Sequence, residues 1–273
     1  MVAQQQQSAG WYGGIDTSRP HPARMYDFYL GGKDNYHVDR EAAQQVITSA
    51  PAVVDSARAN RDFLRRAVGH LAESGVRQFL DIGTGIPTSP NTHEVAQAVA
   101  PGARVAYVDN DPIVAAHAAA RLLGTGNTSF ALADLRDTDA LLAMPEVTRM
   151  IDLRQPVAVL LASVLHFVGD ADDPAGIVGT LRDALPAGSH LVLSHGTDDF
   201  HADRVGEAVS VYRTATAELS LRPYDRVLDF FDGFDLLAPG LVRVPLWRPD
   251  GPPPGPDELA SIGVYGGVGR KAA

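Results

Sequence analysis

The sequence predicts an α/β fold in which helices surround a mostly parallel β-sheet. From Arg77 onward, short apolar runs typical of buried parallel strands alternate with stretches of helical character. This alternation is the βαβ rhythm of a doubly wound sheet. A glycine-containing loop directly after the first run is a second indication, because such loops follow the first strand of ligand-binding α/β sheets. The predicted strands span residues 77–83, 104–109, 128–134, 156–163 and 190–195.

Further elements connect and close this sheet. Each predicted helix between two strands is long enough to make a right-handed crossover. Two later apolar runs, at 241–247 and 261–269, are separated by a proline-rich loop, and we expect them to form a closing antiparallel pair. The crossover helices are predicted at about 91–100, 112–123, 173–185 and 201–219.

The N-terminal quarter has a different character. Residues 1–22 are polar and interrupted by proline, which predicts a flexible arm. Residues 23–74 are predicted to form a helical cap, and residues 75–273 the sheet domain. The first helix of the cap should end at Gly31 and Gly32, because glycine readily takes the left-handed conformation found after helices. The cap helices are predicted at about 22–30, 38–49 and 52–73.

Composition limits the class of partner. The 273 residues include 23 Lys and Arg against 33 Asp and Glu, a net charge of -10, so nucleic acid gains no general electrostatic attraction. A small-molecule substrate is the better expectation. The sequence has no cysteine, no signal-peptide pattern at its start and no apolar run long enough to span a membrane. We therefore expect a soluble cytoplasmic protein without a membrane partner; its oligomeric state is not predicted.

The loop after the first strand has the features of a ligand-binding turn. Gly83, Thr84 and Gly85 follow the strand directly, and small residues there let the backbone approach a ligand closely. A dinucleotide site would have a third glycine at position 88, but this residue is Thr88, and Pro87 lacks the N–H that a diphosphate needs. The loop therefore favours a ligand without a diphosphate.

Acidic residues occur at the ends of the first three predicted strands. Asp81, Asp109 and Asp134 are expected to meet in one crevice, because the carboxyl ends of parallel strands share one edge of the sheet. At the second strand end a carboxylate can accept hydrogen bonds from a ribose diol, and at the third it can accept from an adenine amino group. Alternatively, Asp109 caps the helix that begins at Pro112, and Asp134 caps a helix from Asp137.

These segments resemble known proteins. LDIGTG, YVDNDP, ALADLRD and LLASVLHFVGD are similar to the successive motifs of class I S-adenosylmethionine-dependent methyltransferases, which have a Rossmann-like sheet with a C-terminal antiparallel strand. More narrowly, SRPHPARMYDFYLGGKDNYHVDR, DIGTGIPTSPNTHEVAQ, PGLVRVPLWRPD and YGGVGRK resemble an actinobacterial family of such enzymes, first known as a domain of unknown function. The resemblance covers nearly the whole chain but does not identify the methyl acceptor.

The resemblance implies S-adenosylmethionine as cofactor and S-adenosylhomocysteine as product. It places the loop glycines and Ser163 beside the methionine part and the acid after the second strand at the ribose. It assigns no role to His166, where methyltransferases acting on amino groups have acidic or Asn-Pro-Pro sequences, so O-methylation is slightly favoured. For the adenosine part, the implied residues are Asp109, Asn110, Asp134 and Leu135.

The cap contains an unusual concentration of aromatic and charged residues around its glycine pair. Arg24 and Tyr26 are predicted to cover the cofactor as part of a lid, with the guanidinium binding the methionine carboxylate. The alternative is a helix whose aromatic side simply docks on the sheet domain. The sequence leaves both interpretations open.

Two histidines follow the fourth and fifth strands. His166 and His195 are candidate catalytic residues, because a histidine near the acceptor could act as a general base. The alternative for each is a histidine whose hydrogen bonds are satisfied by backbone within a loop. No metal site is predicted, because no recognised ligand spacing is present.

The sequence thus predicts a methyltransferase acting by in-line transfer, which requires little of the protein beyond positioning. Two alternatives stay open. One is an NAD-dependent oxidoreductase on the same type of sheet, against which the missing third glycine counts. The other is a non-catalytic regulator that binds S-adenosylmethionine or S-adenosylhomocysteine.

Overall fold

Parallel strands and their crossovers build the centre of the molecule. The computed structural model describes residues 17–124, 126–200 and 205–272, so residues 1–16 of the predicted arm lie outside the described residues. The strands form one sheet in the order β3-β2-β1-β4-β5-β8-β6, with β7 also paired to β8. The strands are β1 (Gln78–Ile82), β2 (Arg104–Asp109), β3 (Thr128–Leu132), β4 (Ala158–Ala162), β5 (His190–Gly196), β6 (Phe234–Leu236), β7 (Val242–Arg243) and β8 (Val264–Lys271).

The first five strands are parallel and the last three are antiparallel to their neighbours. Parallel pairs join β1 to β2 and β4, β2 to β3, and β4 to β5, whereas β8 runs antiparallel to β5, β6 and β7. The predicted mostly parallel sheet with a C-terminal antiparallel strand is therefore confirmed. Strand order reverses between β1 and β4, which is the point where open α/β sheets bind ligands.

Helices cover both faces of the sheet. They are α1 (Pro22–Tyr29), α2 (His37–Ser49), α3 (Ala52–Glu73), α4 (Thr92–Val99), α5 (Pro112–Arg121), α6 (Thr138–Ala143), α7 (Pro145–Thr148), α8 (Pro174–Ala184), α9 (Val205–Tyr212), α10 (Tyr224–Leu228) and α11 (Pro256–Ala260). In the described part of the chain, no helix is both long and apolar enough to cross a membrane.

Alternate residues of β1, β2, β4 and β5 pack into two separate cores. Leu80 and Ile82 of β1 pack into a core on one face, whereas Phe79 packs into a core on the other. Because successive side chains of a strand point to opposite faces, both faces must be covered, and β1 is buried along its whole length. The apolar runs seen in the sequence reflect this double burial.

The cap helices divide between the sheet and a third cluster. The apolar side of α3, including Phe63 and Leu71, packs directly into a sheet core. By contrast, α1 and α2 pack against α9, and the hydroxyls of Tyr29 and Tyr212 lie 3.1 Å apart within that cluster. The first helix ends at Tyr29 with Leu30 as its C-cap, and Gly31 follows at φ 80°, as the glycine pair predicted. The division into an arm, a cap and a sheet domain stays a prediction.

One predicted strand was wrong over most of its length. The run 241–247 is a strand only at Val242–Arg243, and a 3-10 turn follows at Val244–Leu246. The reason is Pro245, which has no N–H to donate to a neighbouring strand. The missed strand β6 is only three residues long, too short to show a period of two.

One predicted helix is shorter than expected. Of the run 201–219, the structure describes a helix at Val205–Tyr212, and residues 201–204 lie outside the described residues. Beyond the helix the chain takes part in tertiary hydrogen bonds instead, such as the 2.7 Å bond from the N–H of Ser220 to the carbonyl of His166. This irregular segment crosses the carboxyl end of the sheet.

Candidate functional site

A large cavity opens at the carboxyl ends of β1, β2, β3 and β4, where the strand order reverses. We call it the first cavity; its volume is about 700 Å³, within the range of small-molecule sites. All eleven residues that the sequence predicted for the cofactor line it. They are Arg24, Tyr26, Asp81, Gly83, Thr84, Gly85, Asp109, Asn110, Asp134, Leu135 and Ser163.

The glycine loop is held in a conformation that needs glycine. Gly83 and Gly85 have φ of 70° and 68°, in the left-handed region that disfavours side chains. A Cβ at Gly83 would also lie 2.1 Å from Cγ2 of Val164. The loop is tied to β2 by the N–H groups of Gly83 and Thr84, which both donate to the carbonyl of Val108. The backbone here is therefore fixed close to the cavity.

Asp109 fixes the loop from the end of β2. Its Oδ2 accepts from the N–H of Gly85 at 2.8 Å, and its Oδ1 accepts from the N–H of Asp111 at 2.9 Å. A carboxylate has about four acceptor positions, so roughly two are left for a ligand. Burial raises the pKa of Asp109 to about 6, although both N–H bonds oppose the shift. The N-cap of α5 is Asp111, which accepts from the N–H of Ile113, so Asp109 is not needed as a cap.

Asp81 is a second buried carboxylate on this wall. Its Oδ2 accepts a 2.6 Å hydrogen bond from Oγ1 of Thr92. Burial raises the pKa of Asp81 to about 6, whereas the bond from Thr92 and the nearby Arg61 guanidinium lower it. Both carboxyl groups therefore become easier to ionise when a ligand brings hydrogen-bond donors or positive charge.

Asp134 differs, because a neighbouring arginine already neutralises it. The guanidinium of Arg136 donates to both carboxylate oxygens, at 3.0 and 2.6 Å, and Nδ2 of Asn110 lies 3.4 Å from Oδ2. These bonds, above all those from Arg136, lower the pKa of Asp134 to about 2. Its carboxylate does not cap α6, whose N-cap is Asp137. The backbone N–H of Arg136 also donates to Oδ1 at 2.9 Å, so four donors already surround this carboxylate, and its predicted contact with adenine stays a prediction.

Arg24 joins the cap to the sheet domain. Its guanidinium lies 3.2 Å from the carboxylate of Asp111 and 3.5 Å from that of Asp39, and all three side chains are buried. Two carboxylates therefore already balance its charge. This arrangement agrees with the docking alternative, and the predicted contact of Arg24 with the methionine carboxylate stays a prediction.

Two polar residues of α3 line the first cavity and were not predicted. Asn60 is 3% exposed, and its Nδ2 donates to the hydroxyl of Tyr26 at 3.0 Å. Tyr26 in turn donates to the carbonyl of Ala57 at 2.9 Å, so its hydroxyl must accept from Asn60, which fixes the orientation of the amide. Oδ1 of Asn60 then finds no hydrogen-bond partner among the described residues. A buried acceptor in this state is costly unless a ligand donates to it.

The second of these polar residues is Arg61. One of its guanidinium nitrogens donates to the carbonyls of Thr88 and Pro90, at 2.7 and 3.0 Å. Among the described residues, no carboxylate lies within ion-pair distance of it, in contrast to Arg24. The guanidinium therefore offers positive charge to the cavity on the side of Asp81.

A second cavity of about 480 Å³ adjoins the first. Four residues line both cavities, and we call them the junction: Pro22, Tyr26, Ser163 and Phe167. Ser163 has φ of 58°, a strained backbone conformation of the kind that concentrates at functional sites. Its N–H donates to Oγ of Ser194 at 2.9 Å, which holds the turn after β4 against β5.

The two histidines occupy different positions. His166 lines the second cavity, and its Nδ1 accepts from the N–H of Gly196 at 3.1 Å. The ring proton must therefore be on Nε2 in the neutral form. Burial, together with His195 and Arg222, holds the pKa of His166 well below its usual range. In this tautomer His166 is a hydrogen-bond donor to a ligand rather than a base.

His195 is fully buried, and it is not among the described residues that line either cavity. Its Nδ1 lies 2.7 Å from the carbonyl of Gly196 and its Nε2 lies 3.0 Å from the Arg222 guanidinium. Burial lowers the pKa of His195 to about 4. The contacts match the alternative of a histidine satisfied by its surroundings; a catalytic role for either histidine stays a prediction.

Comparison with known proteins identifies the family. A family model described as S-adenosyl methyltransferase matches residues 9–272. The chain belongs to this family. A DUF574 family protein from Streptomyces avermitilis is 45% identical, with 94% of this chain and 100% of that chain covered and a TM-score of 0.91. A Thermobifida fusca protein, named provisionally as a methyltransferase, is 41% identical over 96% of this chain and 98% of its own, with a TM-score of 0.89.

More distant structures share the fold alone. An O-methyltransferase family protein from Burkholderia thailandensis is 14% identical, with 81% of this chain and 60% of that chain covered and a TM-score of 0.50. No curated protein matches the chain. The Rossmann-like fold is thus confirmed, and membership of the methyltransferase family argues against the NAD-dependent alternative.

The groups around the first cavity fit the family's cofactor. An amino-acid ammonium would supply the donor that Oδ1 of Asn60 lacks, and an amino-acid carboxylate would supply the anion that Arg61 lacks. The free acceptor positions of Asp109 suit a ribose diol. The first cavity therefore offers complementary groups for the amino-acid part and the ribose of S-adenosylmethionine.

Proposed function

We propose that this protein transfers a methyl group from S-adenosylmethionine in the first cavity to a small-molecule acceptor, with an oxygen atom as the favoured target. The observation that carries the proposal is the convergence of the residues at four strand ends on one cavity. Two further observations support the proposal. The amide oxygen of Asn60 has no hydrogen-bond partner, and the guanidinium of Arg61 has no ion-pair partner, among the described residues.

Each end of the first cavity has its own task. At the β2 and β3 side, Asp109 accepts from the ribose hydroxyls, while Asn110 and Leu135 contact the adenine. At the β1 and β4 side, Asn60 accepts from the ammonium and Arg61 donates to the carboxylate of the methionine part. The side chain of Arg24 stabilises the cap through Asp111, and through it the position of Tyr26 at the junction.

The bound cofactor supplies a methyl group on a positively charged sulfur, which is a good leaving group. The protein's own contribution is alignment at the junction. Holding two reactants in line makes a bimolecular step effectively unimolecular, which lowers its entropic cost. The proposal assigns no general base, since His166 carries its proton on Nε2 and both nitrogens of His195 are engaged. The proposed chemistry depends on proximity first.

The test is a calorimetric titration with S-adenosylmethionine, S-adenosylhomocysteine and NAD. We expect micromolar binding of the two sulfur nucleosides, none of NAD, and loss of binding in Asp109→Ala. Asp139→Ala is the matched control, because Asp139 is exposed on α6 and lines neither cavity. Binding of NAD, or no binding of the nucleosides, would refute the proposal.

Catalysis needs a separate readout. With radiolabelled methyl groups, transfer to any member of a panel of phenols and hydroxylated ring compounds would support an enzyme. Tight binding of S-adenosylhomocysteine without transfer to any acceptor would instead favour the non-catalytic regulator.

A further inference from the structure

The second cavity has the position expected of an acceptor site. It lies between α2, α3 and α9 on one side and the ends of β5 and β8 on the other. The junction residues connect it to the first cavity, so a molecule in it would lie next to the methionine end of a bound cofactor. Of these, Ser163 and Tyr26 come from opposite walls, since one follows β4 and the other belongs to α1.

The walls of the second cavity are mainly apolar. None of the described residues that line it is Lys or Arg, and its two acidic residues, Asp55 and Asp257, are exposed. An anion bound here would lose hydration without meeting an opposite charge, which is costly. A phosphorylated or carboxylated acceptor therefore does not suit this cavity.

Its hydroxyl groups are largely occupied by protein partners. Oγ of Ser56 donates to the carbonyl of Ser261 at 3.2 Å and accepts from the N–H of Gly263 at 3.1 Å. The hydroxyls of Tyr29 and Tyr212 bond to each other. Few polar groups of the cavity remain to form hydrogen bonds with a highly polar ligand such as a sugar.

Aromatic side chains and one histidine determine what the cavity can recognise. Tyr26, Tyr29, Phe167 and Tyr212 supply ring surfaces, which suit a flat apolar molecule. The Nε2–H group of His166 is a donor, so it suits a ligand oxygen with a lone pair. The volume of about 480 Å³ is about three times the roughly 150 Å³ cavity that binds benzene, enough for a substituted bicyclic ring system.

We propose that the second cavity binds the methyl acceptor and that this acceptor is an uncharged, apolar ring compound bearing a hydroxyl group. The inference rests on the proposed function, because it assigns the second substrate of the same reaction. At the junction the acceptor oxygen forms a bond to the methyl carbon, and the carbon–sulfur bond breaks with its electron pair left on sulfur. The hydroxyl proton passes to solvent.

The experiment compares two probes that share a ring system but differ in charge. At neutral pH, 2-naphthol is uncharged and 2-naphthoate is an anion. Each is titrated by fluorescence into the full-length protein, with and without saturating S-adenosylhomocysteine. We expect 2-naphthol to bind in both cases, and 2-naphthoate to bind at least about tenfold more weakly because its carboxylate is not compensated.

A pair of neighbouring valines on α3 provides the variant and its control. Val53 lines the second cavity, whereas Val54 lines neither cavity, and both are half-buried. Val53→Trp should lower the affinity for 2-naphthol at least about tenfold by filling the cavity, with S-adenosylhomocysteine binding kept. Val54→Trp should change neither. Ala260→Trp, at an exposed lining position on α11, gives a second filling variant if Val53→Trp does not fold.

The outcomes separate this inference from the proposed function. Equal affinity for both probes, no binding of 2-naphthol, or an unchanged affinity in folded filling variants would overturn the inference. Displacement of 2-naphthol by S-adenosylhomocysteine would also overturn it, because the probe would then occupy the first cavity. Failure of S-adenosylhomocysteine itself to bind would instead overturn the proposed function, and that titration is recorded independently.

Discussion

The unsatisfied amide oxygen of Asn60 makes a sharp prediction about cofactor binding. Leucine has the same branching at Cγ but no polar atom, so Asn60→Leu removes the acceptor while it keeps the shape of the cavity wall. In the free protein the variant loses the hydrogen bond to Tyr26, worth about 1 kcal/mol, and also loses an unsatisfied buried acceptor that costs about 1–3 kcal/mol. Its free energy of unfolding should therefore change by no more than about 2 kcal/mol.

Asn60→Leu should weaken the binding of S-adenosylhomocysteine more than that of a ligand without an amino-acid group. A hydrogen bond to a charged group contributes about 1.5–3 kcal/mol, so losing the ammonium contact should weaken S-adenosylhomocysteine binding roughly 10- to 150-fold. The ligand 5′-methylthioadenosine has the same adenosine and sulfur but no amino-acid group. Its affinity should stay within about twofold, because it never contacts Asn60.

Isothermal titration calorimetry of both ligands measures this difference directly. Gln97→Leu is the control, because it likewise replaces a side-chain amide by an apolar group; this amide is half-buried, donates to the carbonyl of Ala103 and lines neither cavity. It should leave both affinities unchanged. The reasoning is refuted if Asn60→Leu leaves S-adenosylhomocysteine binding intact, or if it weakens both ligands equally, which would indicate a general distortion of the cavity.

Three further predictions concern stability and pH. Arg222→Met should lower the free energy of unfolding by about 3–5 kcal/mol in denaturant titrations, because it leaves buried carbonyl acceptors and His195 unsatisfied. Ser163→Gly should raise the free energy of unfolding by about 1 kcal/mol in thermal denaturation, since glycine tolerates φ of 58°. An unchanged melting midpoint would contradict strain at this turn. With free-state pKa values of about 6 for Asp81 and Asp109, protonation competes with a ligand that prefers the ionised carboxylates. Below pH of about 6, log Kd for S-adenosylhomocysteine should rise by up to about one for each unit by which the pH falls, for each carboxyl. Asp81→Asn should reduce that slope.

The adenosine side of the first cavity was accessible to sequence reasoning for a physical reason. Parallel strands bring their carboxyl ends to one edge, so an acid at each strand end predicts a common location without knowledge of any contact. Asp81, Asp109 and Asp134 indeed line one cavity. Their electrostatic states could not be predicted in this way. Burial dominates at the first two and an adjacent arginine at the third, and these differences depend on packing.

Partners that are distant in sequence determine the surroundings of Arg24 and His195. Arg24 meets Asp39 and Asp111, which are 15 and 87 residues further along the chain, and no local pattern announces such a pairing. His195 lies near the carboxyl end of β5, as a residue facing the crevice would, but the guanidinium of Arg222, from an irregular segment, contacts its Nε2. A position at the end of a strand predicts where a residue lies. Its free hydrogen-bonding capacity depends on which distant groups already bond to it.

Asn60 and Arg61 show why polar positions on an amphipathic helix do not always predict exposure to solvent. On α3 they occupy polar positions, and a polar position on a helix that packs against a sheet ordinarily predicts contact with water. Here α1 and its tyrosine lie over that side of α3, through the bond between Tyr26 and Asn60. The cap therefore turns what would be a solvent-exposed face into the wall of a cavity. The polar residues there lose water, and not all of them gain protein partners. Their unsatisfied groups therefore indicate which groups of a ligand would bind to them.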